Sequence, residues 1–223
     1  MIQFIQFIKK MISENRLVGT IAFINKLYYE KKTLTYKAAD FASLAQGAYV
    51  EDGVRLFYPD RMVIREGAII HKGTTVNARG GFHLGRYSGI SYNCTIMTVD
   101  HRILKANSIP FDNRAILKPV YISDFVMIGA HVCITPGVRI GEGAVVGMGS
   151  VINRDIKPLS IVMGNPATVI GYRDKTRFDS LKEQGAFQSP IVEKYHDYLP
   201  LMSKRKYPDL LKELRIRSDE FPE

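Results

Sequence analysis

From Ile122 to Lys157 the chain reads in sixes: ISDFVM, IGAHVC, ITPGVR, IGEGAV, VGMGSV, INRDIK. An aliphatic residue opens every block (Ile122, Ile128, Ile134, Ile140, Val146, Ile152), and a small or apolar residue stands fifth (Val126, Val132, Val138, Ala144, Ser150, Ile156). Such a period matches neither the ~3.6-residue spacing of an amphipathic helix nor plain strand alternation. It fits a coil of short parallel strands joined by tight turns, in which every sixth residue returns to the same inside position. This is the mark of a parallel β-helix, whose rungs bury their aliphatic side chains only by stacking on one another.

The rhythm starts near Val50. Val50 and Leu56 open two blocks; Ile64, Ile70 and Val76 follow after a two-residue slip, and Leu84, Ile90 and Ile96 after a second. Turns absorb such slips, and the blocks amount to four to five rungs at three blocks per rung. Gly53, Gly67, Gly73, Gly85, Gly129, Gly141 and Gly147 fall near the corners, where positive φ or close backbone approach is needed. Between Ile96 and Ile122 the rhythm stops, so the intervening residues must leave the coil as a loop, taken as 97–121. Long loops on a regular scaffold tend to carry function, and this one holds Asp100 and His101 between the coil and two prolines, Pro110 and Pro119.

The flanks differ from the coil. Ile5, Ile8 and Ile12, then Leu17, Ile21, Ile24 and Tyr28, share faces at helical spacing. Residues 1–46 are therefore expected to be a helical cap over the open end of the coil. The alternative is a segment resting on an anionic membrane surface through Lys9 and Lys10, a peripheral association at the inner face. The coil domain is expected over 47–173, and a charged, proline-interrupted helical extension over 174–223.

The composition is that of a globular chain, 46% hydrophobic with two cysteines, and no apolar run is long enough to span a bilayer. Cys94 and Cys133 form neither a disulfide framework nor a zinc pattern, which favours a reducing, cytoplasmic setting. Cys94, fifth in its block, is expected in the core, and Cys133 in the wall rather than as a nucleophile. The net charge of +9 suits an anionic partner or a solvated basic surface equally.

Three ordered stretches, HLGRYSGISYNCTIMTVDH, KPVYISDFVMIGAHVCITPGVRIGEGAVVGMGSVINRDI and VMGNPATVI, resemble the hexapeptide-repeat acyltransferases, in the branch of maltose, galactoside and polysaccharide O-acetyltransferases. The likeness covers about Val50 to Arg173. It implies an all-β core in the form of a left-handed parallel β-helix with an extruded loop, a homotrimer with active sites between neighbouring subunits, and acetyl-CoA as acyl donor. His101 falls on the family's catalytic histidine, as general base for a sugar hydroxyl. Ala130, Met148, Asn153 and Arg154 fall on positions that contact coenzyme A, with the turn holding Asn165 and Pro166 nearby. Thr168 and Gly171 stand where relatives often carry basic residues, leaving Arg173 or Lys175 for the coenzyme phosphates. His71 and Asp100 are the acceptor-side candidates. Direct transfer is expected, with no acyl-cysteine intermediate, no metal and no nucleic-acid partner. The acceptor is read as a saccharide, such as a surface polysaccharide unit or its precursor.

Other readings stay open at this level. The same scaffold serves acetylation of an antibiotic or a sugar amine, and a non-enzymatic hexapeptide scaffold would share the repeats. A γ-type carbonic anhydrase is disfavoured by the wide spacing of His71, His83, His101 and His131. Serine acetyltransferase is disfavoured because no glycine-rich segment surrounds His101.

Overall fold

The structure, a computed structural model, describes residues 36–188, 205–206 and 208–209. The helical stripes expected before Tyr36, and most of the extension beyond Gln188, fall outside the described residues. The chain divides into two compact units, Met1–Pro190 and Ile191–Glu223. Of the second, Arg205, Lys206, Pro208 and Asp209 are described, helical and exposed.

The first unit is a β-helix. Its first turn runs through β1 (Ser43–Leu44), β2 (Tyr49–Val50) and β3 (Arg55–Phe57). The second holds β4 (Met62–Ile64), β5 (Ile69–Ile70) and β6 (Thr75–Asn77), and the third β7 (Phe82–Leu84), β8 (Gly89–Ile90) and β9 (Thr95–Met97). A hairpin then leaves the coil as β10 (Val99–His101) and β11 (Ala115–Leu117). The coil resumes with β12 (Val120–Ile122), β13 (Met127–Ile128) and β14 (Cys133–Ile134), and a fifth turn holds β15 (Arg139–Ile140), β16 (Val145–Val146) and β17 (Val151–Ile152). It closes on the antiparallel pair β18 (Ser160–Gly164) and β19 (Ala167–Tyr172) and the helix α1 (Lys175–Glu183). One strand per turn enters each of three sheets: β1-β4-β7-β12-β15, then β2-β5-β8-β13-β16 with β18 and β19 at its edge, then β3-β6-β9-β14-β17.

Parallel register brings the block-opening residues into three columns. Ile64, Leu84, Ile122 and Ile140 stack in the first sheet, Ile70, Ile90, Ile128 and Val146 in the second, and Val76, Ile96, Ile134 and Ile152 in the third. All are buried, as are the fifth-position residues Val126, Val132, Val138, Ala144, Ser150 and Ile156. Each full burial of an aliphatic side chain contributes about 1.5–3 kcal/mol, so the hexad pattern itself sets the fold. Ser88 is satisfied in the same ladder, its Oγ donating to the Ser123 carbonyl at 2.8 Å and accepting the Val126 N–H at 2.9 Å, whereas the buried Ser160 Oγ has no partner among the described residues.

The slips share one place. Eighteen residues separate Tyr121 from its partner Arg139, but twenty separate Val63 from His83, and thirty-eight separate His83 from Tyr121. The extra residues lie between the third and first sheets, at 58–61, 78–81 and 98–119, on successive turns of one corner. The first widening forms a short 3-10 turn, Pro59–Arg61. The last forms the β10–β11 hairpin, in which His101 faces Ala115; the sequence indicated only a loop. The coil also starts one strand earlier than the rhythm suggested, at β1.

Helix α1 begins at Asp174, whose side chain accepts the Arg177 N–H at 2.7 Å, a cap worth about 1 kcal/mol. Phe178 and the following Phe187 pack edge-on and tilted against Phe125, and Phe187 also against Tyr87, at ring-centre distances of 4.9–6.0 Å.

Candidate active site

His101 is the last residue of β10, exposed at the loop end of the hairpin ladder. Its ring stacks on Phe111 with centroids 4.0 Å apart. Phe111 is held in turn by the hairpin tip: Ser108 Oγ donates to the Phe111 carbonyl at 2.8 Å, and the Asp112 carboxylate accepts the N–H groups of Asn107 at 3.1 Å and Arg114 at 3.0 Å. The Arg114 guanidinium pairs with the same carboxylate, at 2.5 Å from Nη2, and holds it well below the usual carboxylate range. Neither ring nitrogen of His101 has a hydrogen-bond partner among the described residues.

His101 borders an open cavity of about 640 Å³ against the outer face of the third sheet, lined among others by Asn77, Arg79, Thr95, Asp100, Cys133 and Thr135. Asp100 turns Oδ1 back onto the N–H of His101 at 2.8 Å, so it steadies the strand end rather than the imidazole. Cys133 lies exposed on the cavity wall, whereas Cys94 is buried, its thiol pushed up by that burial and set 3.2 Å from the Gly129 carbonyl.

The remaining sequence candidates are distributed along the coil. Ala130 and Met148 sit on successive turns of the corner between the second and third sheets, where the Gly149 N–H meets the Ala130 carbonyl at 2.9 Å. A Cβ at Gly149 would touch nothing within 4 Å, and Met148 is 69% exposed, so the corner leaves room for a narrow ligand lying close to the backbone. Asn153 and Arg154 follow β17, exposed at the widened corner's side of the last turn. Asn165 and Pro166, joined by a cis peptide bond, form the tip of the β18–β19 hairpin; Thr168 and Arg173 are exposed on and after β19. His71 does not line the His101 cavity in the single chain. Its Nδ1 lies 2.9 Å from Glu51 Oε2, and its ring packs on Tyr92 at 4.6 Å. Burial works to raise the Glu51 pKa, but the Lys72 N–H and His71 outweigh it and lower the value.

Sequence reasoning missed Asn77, Arg79 and Thr135 as cavity residues. The signal was present in the two-residue slips, which widen the corner from which the hairpin grows. Among the described residues no group of three or more His, Cys, Asp or Glu side chains could hold a metal ion, and no helix is long and apolar enough to cross a membrane.

Residues 119–154 match the bacterial transferase hexapeptide family, six repeats long. The galactoside O-acetyltransferase of Escherichia coli K12 is 29% identical over 130 residues, 58% of this chain and 63% of that protein. A solved maltose O-acetyltransferase from Clostridium difficile 630 superposes with a TM-score of 0.57 at 29% identity, covering 61% of this chain and 72% of that one. A hexapeptide-repeat acetyltransferase of Vibrio cholerae, solved with acetyl-CoA, gives 0.57 at 26% identity over 61% and 74%. The chain spans 26–63% of the length of the curated relatives it matches. With six in-phase repeats wound as a β-helix, the chain is similar over these regions to the hexapeptide-repeat acetyltransferases.

Proposed function

We propose that this protein is an acetyl-CoA-dependent O-acetyltransferase that acetylates a hydroxyl of a saccharide, with His101 as general base. The observation that carries the proposal is the placement of His101: an imidazole with both nitrogens unengaged, fixed by Phe111 at the mouth of a cavity on a hexapeptide coil. The solved relative with acetyl-CoA supports the donor, and the galactoside and maltose enzymes support the acceptor class.

Bound acetyl-CoA would supply the acyl group as a thioester. A free His101 nitrogen takes the proton of the acceptor hydroxyl as its oxygen forms a bond to the thioester carbonyl carbon. When the tetrahedral intermediate collapses and the carbon–sulfur bond breaks, the imidazolium returns that proton to the departing thiolate. The open corner at Ala130, Met148 and Gly149 holds the pantetheine arm, and Asn153, Arg154, Asn165, Pro166, Thr168 and Arg173 lie along the way to the phosphates.

The working form is a homotrimer. The hairpin supports this reading by exposing Ile103 (67%), Leu104 (81%) and Ile109 (98%), apolar surface that a neighbouring copy would cover. In that arrangement the coenzyme corner of one copy completes the His101 cavity of the next, and the enzyme works in the cytoplasm, where acetyl-CoA is made.

The test is thiol release from acetyl-CoA against a panel of sugars, oligosaccharides, amino sugars and chloramphenicol-type drugs, with His101→Ala as control. Acceptor-dependent release that falls at least about a hundredfold in the variant is expected for a lost general base. Release only with amines moves the acceptor from hydroxyl to nitrogen. Absence of both release and coenzyme A binding by calorimetry would leave a non-enzymatic scaffold.

A further inference from the structure

The widened corner does more than carry the hairpin. Its three insertions stack on successive turns and are tied together. Arg61 Nη1 donates to the Arg79 carbonyl at 2.5 Å, the Arg79 N–H donates to Asn77 Oδ1 at 3.1 Å, and Thr98 Oγ1 donates to the Asn77 carbonyl and accepts the Gly80 N–H, both at 2.7 Å. The Lys118 N–H closes the stack on the Thr98 carbonyl at 2.9 Å. The backbone that presents Arg79 is therefore held from both sides.

Cations collect there. Arg79 lines the His101 cavity, while Arg61, Lys118 and Arg139 line the groove on the other side of the same corner, over the first sheet. Among the described residues Arg79, Lys118 and Arg139 have no carboxylate partner, and Arg61 reaches only Asp60, at 3.9 Å. Among the described residues the only carboxylate lining the cavity is Asp100, which accepts the His101 N–H. An unpaired guanidinium on a fixed backbone beside a general base is a fork-shaped donor awaiting a planar or tetrahedral anion.

We infer that the acceptor is an anionic saccharide whose negative group is clamped by Arg79, with Arg61 and Lys118 receiving the rest of an acidic chain as it crosses the corner. This rests on the proposed acetyl transfer at His101 and names the substrate class of that site. The shared chemistry is an oxyanion one sugar ring away from the reacting hydroxyl, supplied by a uronate carboxylate or a sugar phosphate. Arg79 acts on specificity: it holds the acceptor and takes no part in proton transfer.

The experiment compares oligogalacturonate with its fully methyl-esterified, neutral counterpart, and adds glucose 6-phosphate as the phosphate arm. The full-length protein is used as wild type, Arg79→Gln, Arg79→Lys and His101→Ala, and both kcat/KM and binding by titration calorimetry are measured. The expected result is a wild-type preference for the acid over its ester that falls at least tenfold in Arg79→Gln, mainly through KM, and is partly restored in Arg79→Lys. Binding of the acid should survive in His101→Ala while turnover is lost. If glucose 6-phosphate rather than the uronate shows the Arg79-dependent preference, the anion is a phosphate. Arg79-dependent acid binding without acetyl transfer would sink the enzymatic reading and overturn the acceptor role with it, leaving only an anion-binding site at Arg79. Transfer to neutral sugars with an acid-to-ester ratio unmoved by Arg79→Gln, or no anionic binding at all, overturns the anionic acceptor.

Discussion

The interior of the coil and its widened corner lie a few residues apart in every turn, yet they are built on opposite demands. Inside, each position is repeated by the turn above and below, so one aliphatic choice is tested against two identical neighbours and nothing is free to vary. At the corner between the third and first sheets the chain adds two residues, then two, then a hairpin, and the side chains are exposed, cationic or aromatic. Stability comes from the repeated region, and the chemistry proposed for His101 from the region that breaks the repeat. The two can be perturbed separately, and their separation is the thing to test.

The largest effect should come from inside the coil, where the turns touch. A Cβ on Gly85 would meet the Ser123 carbonyl carbon at 2.3 Å and its oxygen at 2.4 Å, backbone atoms that cannot move without parting two turns. Gly85→Ala should therefore cost at least about 3 kcal/mol by urea denaturation, at the upper end of overpacking penalties. Gly149→Ala is the control: its Cβ meets nothing within 4 Å, and only the left-handed φ of +73° opposes it, at about 1–2 kcal/mol. Equal losses at both sites would mean that backbone conformation, not the approach of successive turns, limits the coil.

The same contrast explains what could be read from the sequence. Ile122 to Lys157 is legible because the physical cause, stacking of like on like, writes itself as a period, and Ile128 is buried for the reason Ile90 is. His101 is legible through its place after the last regular block and the likeness that place supports. Arg79 is not, because its role depends on three insertions coming to lie on one corner. That is a fact of coil geometry which two-residue slips hint at only once the eighteen-residue turn is known. Likewise Phe111 reaches His101, and Asp112 holds the turn beside it, through a hairpin whose pairing has no periodic signature. Met148 and Arg154 fall on different corners of one turn, so the coenzyme path proposed through them was not legible in the sequence alone.

A smaller effect, confined to activity, should follow from loosening the hairpin. Asp112 gathers the Asn107 and Arg114 N–H groups and the Arg114 guanidinium, and so fixes the turn that puts Phe111 on His101. In Asp112→Ala, the proposed acetyl transfer should fall at least about tenfold, the effect of displacing the base proposed at His101, while the coil's unfolding midpoint stays near that of the wild type. The folded carboxyl titrates below its ordinary value, so its contribution is fully present above the unfolded pKa of about 4 and is lost only as pH falls through the lower folded one. Neutral-pH activity profiles should not contain it. A midpoint that drops as far as in Gly85→Ala would show the hairpin to be part of the coil's cooperative unit.

The smallest effect sets one histidine against another. His83 lies on the outer face of the first sheet, stacked on Tyr121 with centroids 4.3 Å apart, whose ring also carries the Arg139 guanidinium. Its Nδ1 lies 3.2 Å from the Ile122 carbonyl and its Nε2 3.4 Å from Arg65 Nε, so a neutral ring with the proton on Nδ1 donates to the one and accepts from the other. Protonating Nε2 would point a donor at a cation. Burial lowers the pKa of His83 and Arg65 lowers it further; the Ile122 carbonyl and the more distant Asp124 oppose the shift without reversing it. In the unfolded chain the ring protonates near pH 6.5, as an unperturbed histidine does (about 6.5); in the folded chain it resists until a lower pH. Stability is therefore whole above the unfolded value and declines as pH falls towards the folded one. The urea midpoint should be lower at pH 5.5 than at pH 7.5 (a window on the order of one unit either side of the free value), and His83→Phe, which keeps the stack and removes the proton site, should flatten that slope. An unchanged slope in His83→Phe would assign the pH response elsewhere and leave the stacked wall of the first sheet electrostatically silent. A flattened one would show that the coil keeps its histidine neutral to hold the wall, whereas the ring nitrogens of His101 have no partner among the described residues.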